Sequence, residues 1–356
     1  MPLVDDFREL ADDKQFIKDT SEIVRTRLFN EPTETFFTIV PGIKGGKQVA
    51  AMKGFEYVTK ASTGCGGAGI SPDFPAFSQF WNPKLAEVKI ELCYDDFESS
   101  FTQWGLKNGY QRKDLTGTEM ALFIESLVYD AMVMDLQRMA LLSDKDIATQ
   151  DVLTDPLKAP FYNIIDKGLI PTLQYLKTLP EFAENFVTLT KNTGIVADQM
   201  NLDDDYAVKL YESLILESYD FDGDMLMSSN KLALNYDAFL RRGNGHSIQQ
   251  NLDATRNGIQ NAMVAGHPVV PVRNYDRWKK KDFTIDFNPG PGNTIHLPHF
   301  ALYTKKEFLQ IGVDDTAALE NLTLEYIGGA EEKFWIKGNY MFDFKMVNPY
   351  EMKAAL

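Results

Sequence analysis

Residues 64–69 have the composition of a phosphate-binding loop. Their letters, GCGGAG, match the GxGxxG pattern, which binds pyrophosphate where a strand leads into it and a helix begins after it. The residues that follow, SPDFPAF, contain two prolines and no helical periodicity. The pattern therefore predicts a flexible loop tip and no dinucleotide site. Nothing near Cys65 supplies the base that a catalytic thiol needs, so we do not predict a nucleophile there.

Two short patterns resemble metal-binding motifs. His296 and His299 have HxxH spacing, but a proline lies between them and no Cys or His cluster completes the site. The segment DFDGD, which begins at Asp220, resembles the start of a calcium loop, but its glycine is at the fourth position and its twelfth residue is not glutamate. We therefore predict packed or surface histidines, a solvated turn at DFDGD, and no metal or cofactor.

The basic residues form one clear cluster. Arg273, Arg277 and the lysines at 279–281 surround Trp278 in a chain whose formal net charge is −15. The cluster could contact phosphate, pair with acidic patches of a neighbouring subunit, or simply be solvated. In so acidic a chain we favour the subunit interface. No serine-hydrolase, zinc-peptidase, P-loop or kinase motif occurs, so we predict no catalytic residues.

Composition limits the classes of function. The chain has 356 residues, with 51 acidic against 36 basic side chains. Since nonspecific nucleic-acid binding depends on Lys and Arg, this balance argues against a protein that wraps DNA. The two cysteines, Cys65 and Cys93, form no disulfide pattern, which is typical of a reducing cytoplasm. The first residues do not resemble a signal peptide, and no run of 18 apolar residues predicts a membrane span.

The first half of the chain predicts three elements. Residues 4–28 have the thin apolar stripe of an amphipathic helical arm. Residues 36–92 predict two strand-like arms that flank a Gly-, Pro- and Ser-rich excursion. Residues 118–143 predict a long helix with a capping box at its start, apolar on almost all sides except a narrow polar stripe that includes Gln137.

The second half predicts helices followed by strands. Acidic residues 203–205 open a helix with Leu210 and Leu214 on one face. Another helix is predicted to end at the Gly–Pro signal of residues 265–268, before the strand VVPV. The segments EKFWIK and YMFDFKMV flank residues 338–339, Gly-Asn, which predict a two-residue hairpin turn.

This order of elements resembles that of the major capsid proteins of tailed bacteriophages, the Hong Kong 97-type family. WNPKLAEVKIELC resembles the stretch that joins the extended loop to the core, DLQRMALLSDKD the end of the spine helix, and FYNIIDKGLIPTL the opening of the next domain. AGHPVVPVRNYD, HFALYTKKEFLQIGVD and KFWIKGNYMFDFKMVNPYEMKAAL complete the pattern. The resemblance is one of layout along nearly the whole chain.

The resemblance implies an α+β fold with four parts. These are an N-terminal arm (1–35), an extended loop (36–92), a peripheral domain with the spine helix (93–150 and 296–356), and an axial domain (151–295). It also implies a subunit without an active site, which joins copies of itself as hexamers and pentamers into an icosahedral shell around double-stranded DNA. Assembly in the host cytoplasm, residence in the virion, portal, scaffold and decoration partners, and no membrane contact are further expectations.

Two other functions stay open. An encapsulin-like nanocompartment resembles the same fold but encloses protein. A soluble cytoplasmic enzyme with an unrecognised site would instead have a pocket lined by clustered titratable groups. A shell subunit should expose apolar interface area that is buried only on assembly.

Overall fold

The structure is a computed structural model, and it describes residues 33–54, 58–59, 61, 76–93, 117–149, 152–192, 199, 201–218, 221–242, 263–283, 299–313, 323–327 and 333–356. Residues 1–32 of the predicted N-terminal arm and the glycine-rich loop tip around Cys65 lie outside these residues. None of the helices in these ranges combines the length and the apolar character that crossing a bilayer requires.

The helices are short, apart from one. In chain order they are α1 (Thr33–Phe36), α2 (Gly117–Leu142), α3 (Ala159–Tyr162), α4 (Leu169–Thr178), α5 (Tyr206–Leu216), α6 (Asn230–Arg242) and α7 (Tyr275–Asp282). Single 3-10 turns are at Ile147–Thr149, Pro156–Lys158, Pro180–Asn185, Thr190–Asn192 and Lys306–Phe308. Helix α2 confirms the long helix predicted from the apolar run.

Helix α2 is covered on several sides near its end. Leu136, Met139 and Ala140 are at most 2% exposed. Helices α3 and α4 both pack against α2. Gln137, on the polar stripe, is only 7% exposed, so the helix is covered at that position as well.

The strands alternate with these helices. They are β1 (Thr38–Val40), β2 (Gln48–Met52), β3 (Ala76–Phe80), β4 (Lys84–Cys93), β5 (Phe186–Val187), β6 (Met225–Ser229), β7 (Met263–Val264), β8 (His267–Val272), β9 (Ala301–Thr304), β10 (Leu309–Val313), β11 (Thr323–Ile327), β12 (Lys333–Met346) and β13 (Met352–Ala355). Helices and mixed sheets together form the α+β fold that the sequence predicts.

The first sheet is built around β12, whose two edges are both occupied. Residues 333–342 pair antiparallel with β4 along one edge. On the other edge, residues 333–337 pair with β11 and residues 342–346 pair with β10, both antiparallel. Strand β1 lies parallel to β10 on the far side. Segments from both ends of the chain are thereby joined in one sheet.

The predicted hairpin turn at Gly338 and Asn339 is wrong. Strand β12 continues through both residues, which pair with Val88 and Glu87 of β4. Neither has the positive φ that a two-residue hairpin turn requires. The ladder with β4 keeps the segment extended, and this partner is too distant in sequence for a local pattern to reveal it.

The second sheet has the strand order β5-β13-β9-β6-β8-β7. Strands β6 and β8 are parallel, and α6, which lies between them in sequence, packs on both. Strands β7 and β8 form a hairpin whose two turn residues, Ala265 and Gly266, have φ of 49° and 90°. The predicted helix end at residues 265–268 is therefore wrong, because the glycine supplies a hairpin turn with positive φ and not a helix terminus.

Two buried clusters meet at the second sheet. Neighbouring residues of β9 belong to different clusters: Leu302 packs with α2, α4 and the first sheet, while Tyr303 packs with α5 and α6. This follows from the alternation of side chains along a strand. Leu210 and Leu214 of α5 are buried in the second cluster, which confirms the predicted apolar face of that helix.

Gly168 allows α4 to start against the end of α2. A Cβ added at Gly168 would lie 2.8 Å from the carbonyl oxygen of Ala140 and 3.0 Å from the carbonyl carbon of Leu141, which are backbone atoms that cannot turn away. We predict that Gly168→Ala lowers the free energy of unfolding by about 1–3 kcal/mol, measured by urea denaturation. Gly54→Ala, where no atom lies within 4 Å of the added Cβ, is the control. Equal stability of the two variants would contradict the tight approach.

Candidate functional site

Strands β2 and β3 form a small sheet of their own. They pair antiparallel, with Gln48 opposite Phe80 and Met52 opposite Ala76. Within the described part of the chain no third strand joins them. Because successive side chains of a strand point to opposite faces, this hairpin has an inner and an outer face.

The outer face of the hairpin is open to solvent and largely apolar. Its members are all exposed, namely Gln48, Ala50, Met52, Ala76, Ser78 and Phe80. Met52 is 62% exposed and Phe80 is 56% exposed. Leu85, at the start of β4, is 59% exposed. Met52 and Phe80 lie at opposite ends of the hairpin face, with alanine and serine between them. Large apolar side chains on an exposed face are typical of a surface that a partner covers.

The inner face of the hairpin is held against the body of the protein. The ring of Phe77 meets that of Phe182 edge-on, with 5.7 Å between the ring centroids. The side-chain amide of Gln79 donates a hydrogen bond of 2.8 Å to the carbonyl oxygen of Met346. These contacts fix the direction in which the outer face points.

Trp81 anchors the base of the hairpin. Its side chain is 2% exposed. Its backbone N–H donates to the carbonyl oxygen of Lys47 at 2.9 Å, and its carbonyl oxygen accepts from Gly46 at 2.8 Å. A Cβ at Gly312 would lie 2.7 Å from the Trp81 ring, so β10 can approach the indole this closely only with glycine at that position.

Asn82 connects the hairpin base to the first sheet. Its backbone N–H donates to Oδ2 of Asp343 at 2.8 Å, and its side-chain amide donates to Oδ2 of Asp166 at 2.9 Å. Asp343 is fully buried, and Nζ of Lys345 lies 2.9 Å from its Oδ2. A buried carboxylate is tolerated only when it is paired and hydrogen-bonded in this way. The charge pair of β12 therefore positions the hairpin.

A second buried carboxylate, Asp282, joins α7 to α2 and α3. Asp282 is 1% exposed and accepts hydrogen bonds from Nζ of Lys158 at 2.7 Å and from the Tyr162 hydroxyl at 2.6 Å. Nη1 of Arg138 lies 3.5 Å from Asp282, and the same guanidinium lies 5.3 Å from the ring centroid of Trp278. One carboxylate thus connects three elements.

The environment of Asp282 keeps this carboxyl ionised. Burial raises the pKa of Asp282, but the hydrogen bonds from Lys158 and Tyr162 and the charges of Lys158 and Arg138 outweigh it, so the pKa lies below its usual range. Burial, with the hydrogen bond to Asp282, raises the pKa of the Tyr162 hydroxyl far above its usual range. The phenol therefore remains a hydrogen-bond donor at neutral pH.

Lys279 lies close to this junction without a carboxylate partner among the described residues. Its Nζ is 3.9 Å from the centroid of the Phe283 ring. Burial lowers the pKa of Lys279 to about 7. Of the predicted basic cluster, Arg273, Arg277, Lys280 and Lys281 are exposed, whereas Lys279 is only partly exposed.

Of the remaining motif residues, His296 and Asp220 lie outside the described residues. His299 is 1% exposed and its Nε2 is 2.9 Å from the carbonyl oxygen of Gln199, so of the two alternatives that the sequence left open, packed or surface, it is packed. Asp222 is exposed in the turn before β6, and Asp224 accepts a hydrogen bond from the backbone N–H of Lys306. No three His, Cys, Asp or Glu side chains of the described residues gather as a metal site would need.

Sequence reasoning missed Asn82 and Asp282. Asn82 and Asp343 are 261 positions apart, and Lys158 and Asp282 are 124 apart, so no local spacing links them. The only available signal was the alternation of Asp343 and Lys345 on the polar side of an apolar strand. That signal shows which face they share, but not that the face is buried.

Comparisons with known proteins give structural similarities only. No model of a protein family matches the chain, and no curated protein matches it. The chain is similar to one chain in a structure of the satellite phage P4 procapsid, and that procapsid includes the size determination (Sid) protein. The two chains are 14% identical over 94% of this chain and 90% of that one, with a TM-score of 0.49.

Further similarities cover as much of the chain. A structure from Mycobacterium phage Ogopogo is 12% identical over 91% of each chain, with a TM-score of 0.48. A virus-like particle from Pyrococcus furiosus is 9% identical over 95% of this chain and 98% of that one, with a TM-score of 0.41. In each comparison the likeness extends along nearly the whole chain.

We predict that Asp282→Ala lowers the free energy of unfolding by about 3 kcal/mol, because it leaves Arg138 and Lys158 without their buried carboxylate. Both cations are partly exposed, which keeps the loss below that of a fully buried pair. Urea denaturation followed by tryptophan fluorescence measures it. Asp237→Ala removes a helical ion pair with Arg241 and should cost about 0.3–0.5 kcal/mol. A loss at Asp282 no larger than this control would contradict the structural role.

We predict that Lys279→Met stabilises the protein more at pH 7 than at pH 9.5. The pKa of Lys279 is about 7 in the folded state, against an ordinary value of 10.5. Between these two pH values the Lys279 amine is therefore protonated more readily in the unfolded chain than in the folded one. The folded state therefore loses stability as pH falls towards 7, and methionine removes this loss. The melting temperature should rise by roughly 2–4 °C at pH 7, with little change at pH 9.5. Lys280→Met, at an exposed position of the same helix, is the control for the loss of a lysine charge.

Proposed function

We propose that this protein is a shell-building subunit, whose function is to bind further copies of itself. More specifically, we propose that it is the major capsid protein of a tailed bacteriophage of the Hong Kong 97-type family. Such a subunit acts by surface complementarity and has no catalytic residues. The proposal depends on the order of elements along the chain and on one surface, the outer face of the β2–β3 hairpin.

The hairpin face carries the proposal because it is both apolar and held in place. Met52 and Phe80 are more than half exposed, while the strands beneath them are fixed through Trp81 and Asn82 to β10 and β12. A mobile surface loop would not need buried residues such as Trp81 to fix its base. Burying one large apolar side chain stabilises a contact by about 1.5–3 kcal/mol. In a shell the contact made by this face is repeated at every subunit, so these contributions add up.

We assign the parts of the chain as the resemblance implies. The arm (1–35) and the extended loop (36–92) contact neighbouring subunits. Residues 93–150 and 296–356 form the peripheral domain with α2 as its spine helix, and residues 151–295 form the axial domain. Two features support this division: α2 is the longest described helix, and the second buried cluster contains α5 and α6.

We propose hexamers and pentamers of this chain in an icosahedral shell that encloses double-stranded DNA. The net charge of −15 supports a wall that does not bind its DNA along its length. Assembly takes place in the host cytoplasm, and the finished protein resides in the virion. Portal, scaffold and decoration proteins are the further partners that a shell of this kind would require.

The first test is assembly of the purified chain. Light scattering and negative-stain microscopy over a range of salt concentrations should show closed particles, or capsomers that close into them. Nuclease-protected DNA in native particles would identify a capsid, whereas enclosed protein would identify an encapsulin-like compartment. A monomer or dimer under every condition would refute the shell function and return attention to an enzyme.

We predict that the double substitution Met52→Asp and Phe80→Asp abolishes closed particles while the subunit remains folded. Charge on this face prevents its burial against a neighbour, because an unpaired carboxylate cannot leave water cheaply. Particle yield by light scattering and folding by circular dichroism are the two measurements. Leu234→Asp, at another exposed leucine, is the control and should assemble. Normal particles from the double variant would exclude this face as the contact.

A further inference from the structure

The outer side of α7 carries three cations on one exposed face. Arg277, Lys280 and Lys281 are at positions i, i+3 and i+4, which lie on the same side of a helix. All three are exposed, while Tyr275 and Trp278 on the other side are at most 2% exposed. No ion pair joins these three cations to a carboxylate of the described residues. The positive charge of this face is therefore not neutralised by the described part of its own chain.

An exposed apolar residue lies in the turn that is bonded to the end of α7. Leu157 is 87% exposed in a 3-10 turn whose first N–H is capped by Asp155. The turn is held against α7, because Nζ of Lys158 binds Asp282 and the N–H of Thr154 donates to the Asp282 carbonyl oxygen at 3.0 Å. The exposed leucine and the exposed cations therefore lie on two elements that are held together through Asp282.

Local helix energetics account for only part of this arrangement. Lysines in a last turn favour the negative end of the helix dipole by about 0.3–1 kcal/mol. This explains Lys280 and Lys281, but it explains neither Arg277, which is nearer the start of α7, nor an almost fully exposed leucine next to the helix.

We infer that Arg277, Lys280, Lys281 and Leu157 form a contact surface for an acidic surface of a second copy of this chain. The inference rests on the proposed shell function and names the chemistry of one of its contacts. The chain has 51 acidic and 36 basic side chains, so the rest of a second copy supplies complementary charge. A protein interface combines an apolar anchor with a polar rim, whereas a phosphate backbone offers nothing for an exposed leucine to pack against.

The test is charge reversal in the full-length chain. Lys280→Glu with Lys281→Glu should lower the fraction of protein in closed particles at least ~10-fold. The circular dichroism spectrum should stay that of the folded chain, and the melting temperature should fall by only about 2–4 °C, the effect of losing the helix-dipole contribution. The matched control, Lys145→Glu with Lys209→Glu, makes the same change in net charge at two exposed lysines outside the extended loop and outside α7, and it should assemble as the wild type does. Leu157→Ser should lower the yield without any change in charge.

A photo-crosslinker at position 281 identifies what covers the surface. Cross-links from native particles to an acidic peptide of a second copy are the expected result. Particle yield from the charge-reversed chain equal to that of the control would overturn the inference. Cross-links to DNA, or normal shells that fail to retain DNA, would overturn it in favour of nucleic-acid contact. Failure of the wild-type chain to form particles would instead refute the proposed function itself.

Discussion

The ladder between β4 and β12 is the interaction on which the other parts of the structure depend. Strand β12 is hydrogen-bonded along both edges, so it cannot shift register without breaking pairs with β4, β10 and β11 together. A shift by one residue would also move Phe342 and Phe344 out of the core and reverse the faces of the strand. The buried pair of Asp343 and Lys345 restricts the register further. The Asp343 carboxylate accepts a hydrogen bond from the backbone N–H of Asn82 only when β12 is in its observed register.

The two buried carboxylates have the same physical role in different places. Asp343 connects the exposed hairpin to the first sheet, and Asp282 connects α7 to α2 and α3. In each case the cost of burying charge is offset only when every partner is in position. Such sites contribute less to net stability than to the choice of a single arrangement. Each is bonded to an element that carries a surface we assign to contacts between copies, so it fixes the position of that element.

Sequence patterns predicted what depends on nearby residues and missed what depends on distant ones. The apolar run of α2 and the apolar face of α5 follow from helical periodicity, and both are confirmed. The glycine at 338 was interpreted as a turn because its true partner, β4, is far away in sequence, while the real two-residue turn is at Ala265 and Gly266. The basic cluster could be recognised from composition, but only the structure separates the exposed Lys280 from the partly buried Lys279 with its lowered pKa.

The pairing of early strands with late ones also determines when the protein can fold during synthesis. Strand β4 gains its partner only after residues 333–342 have left the ribosome, and β1 must wait for β10. Contacts of such long sequence separation form slowly, because the intervening chain must first be ordered. Asn82 likewise lacks its carboxylate until residue 343 has emerged, so the hairpin on a nascent chain has no fixed orientation. The apolar face of the hairpin therefore gains its fixed position only when the chain has been translated through β12.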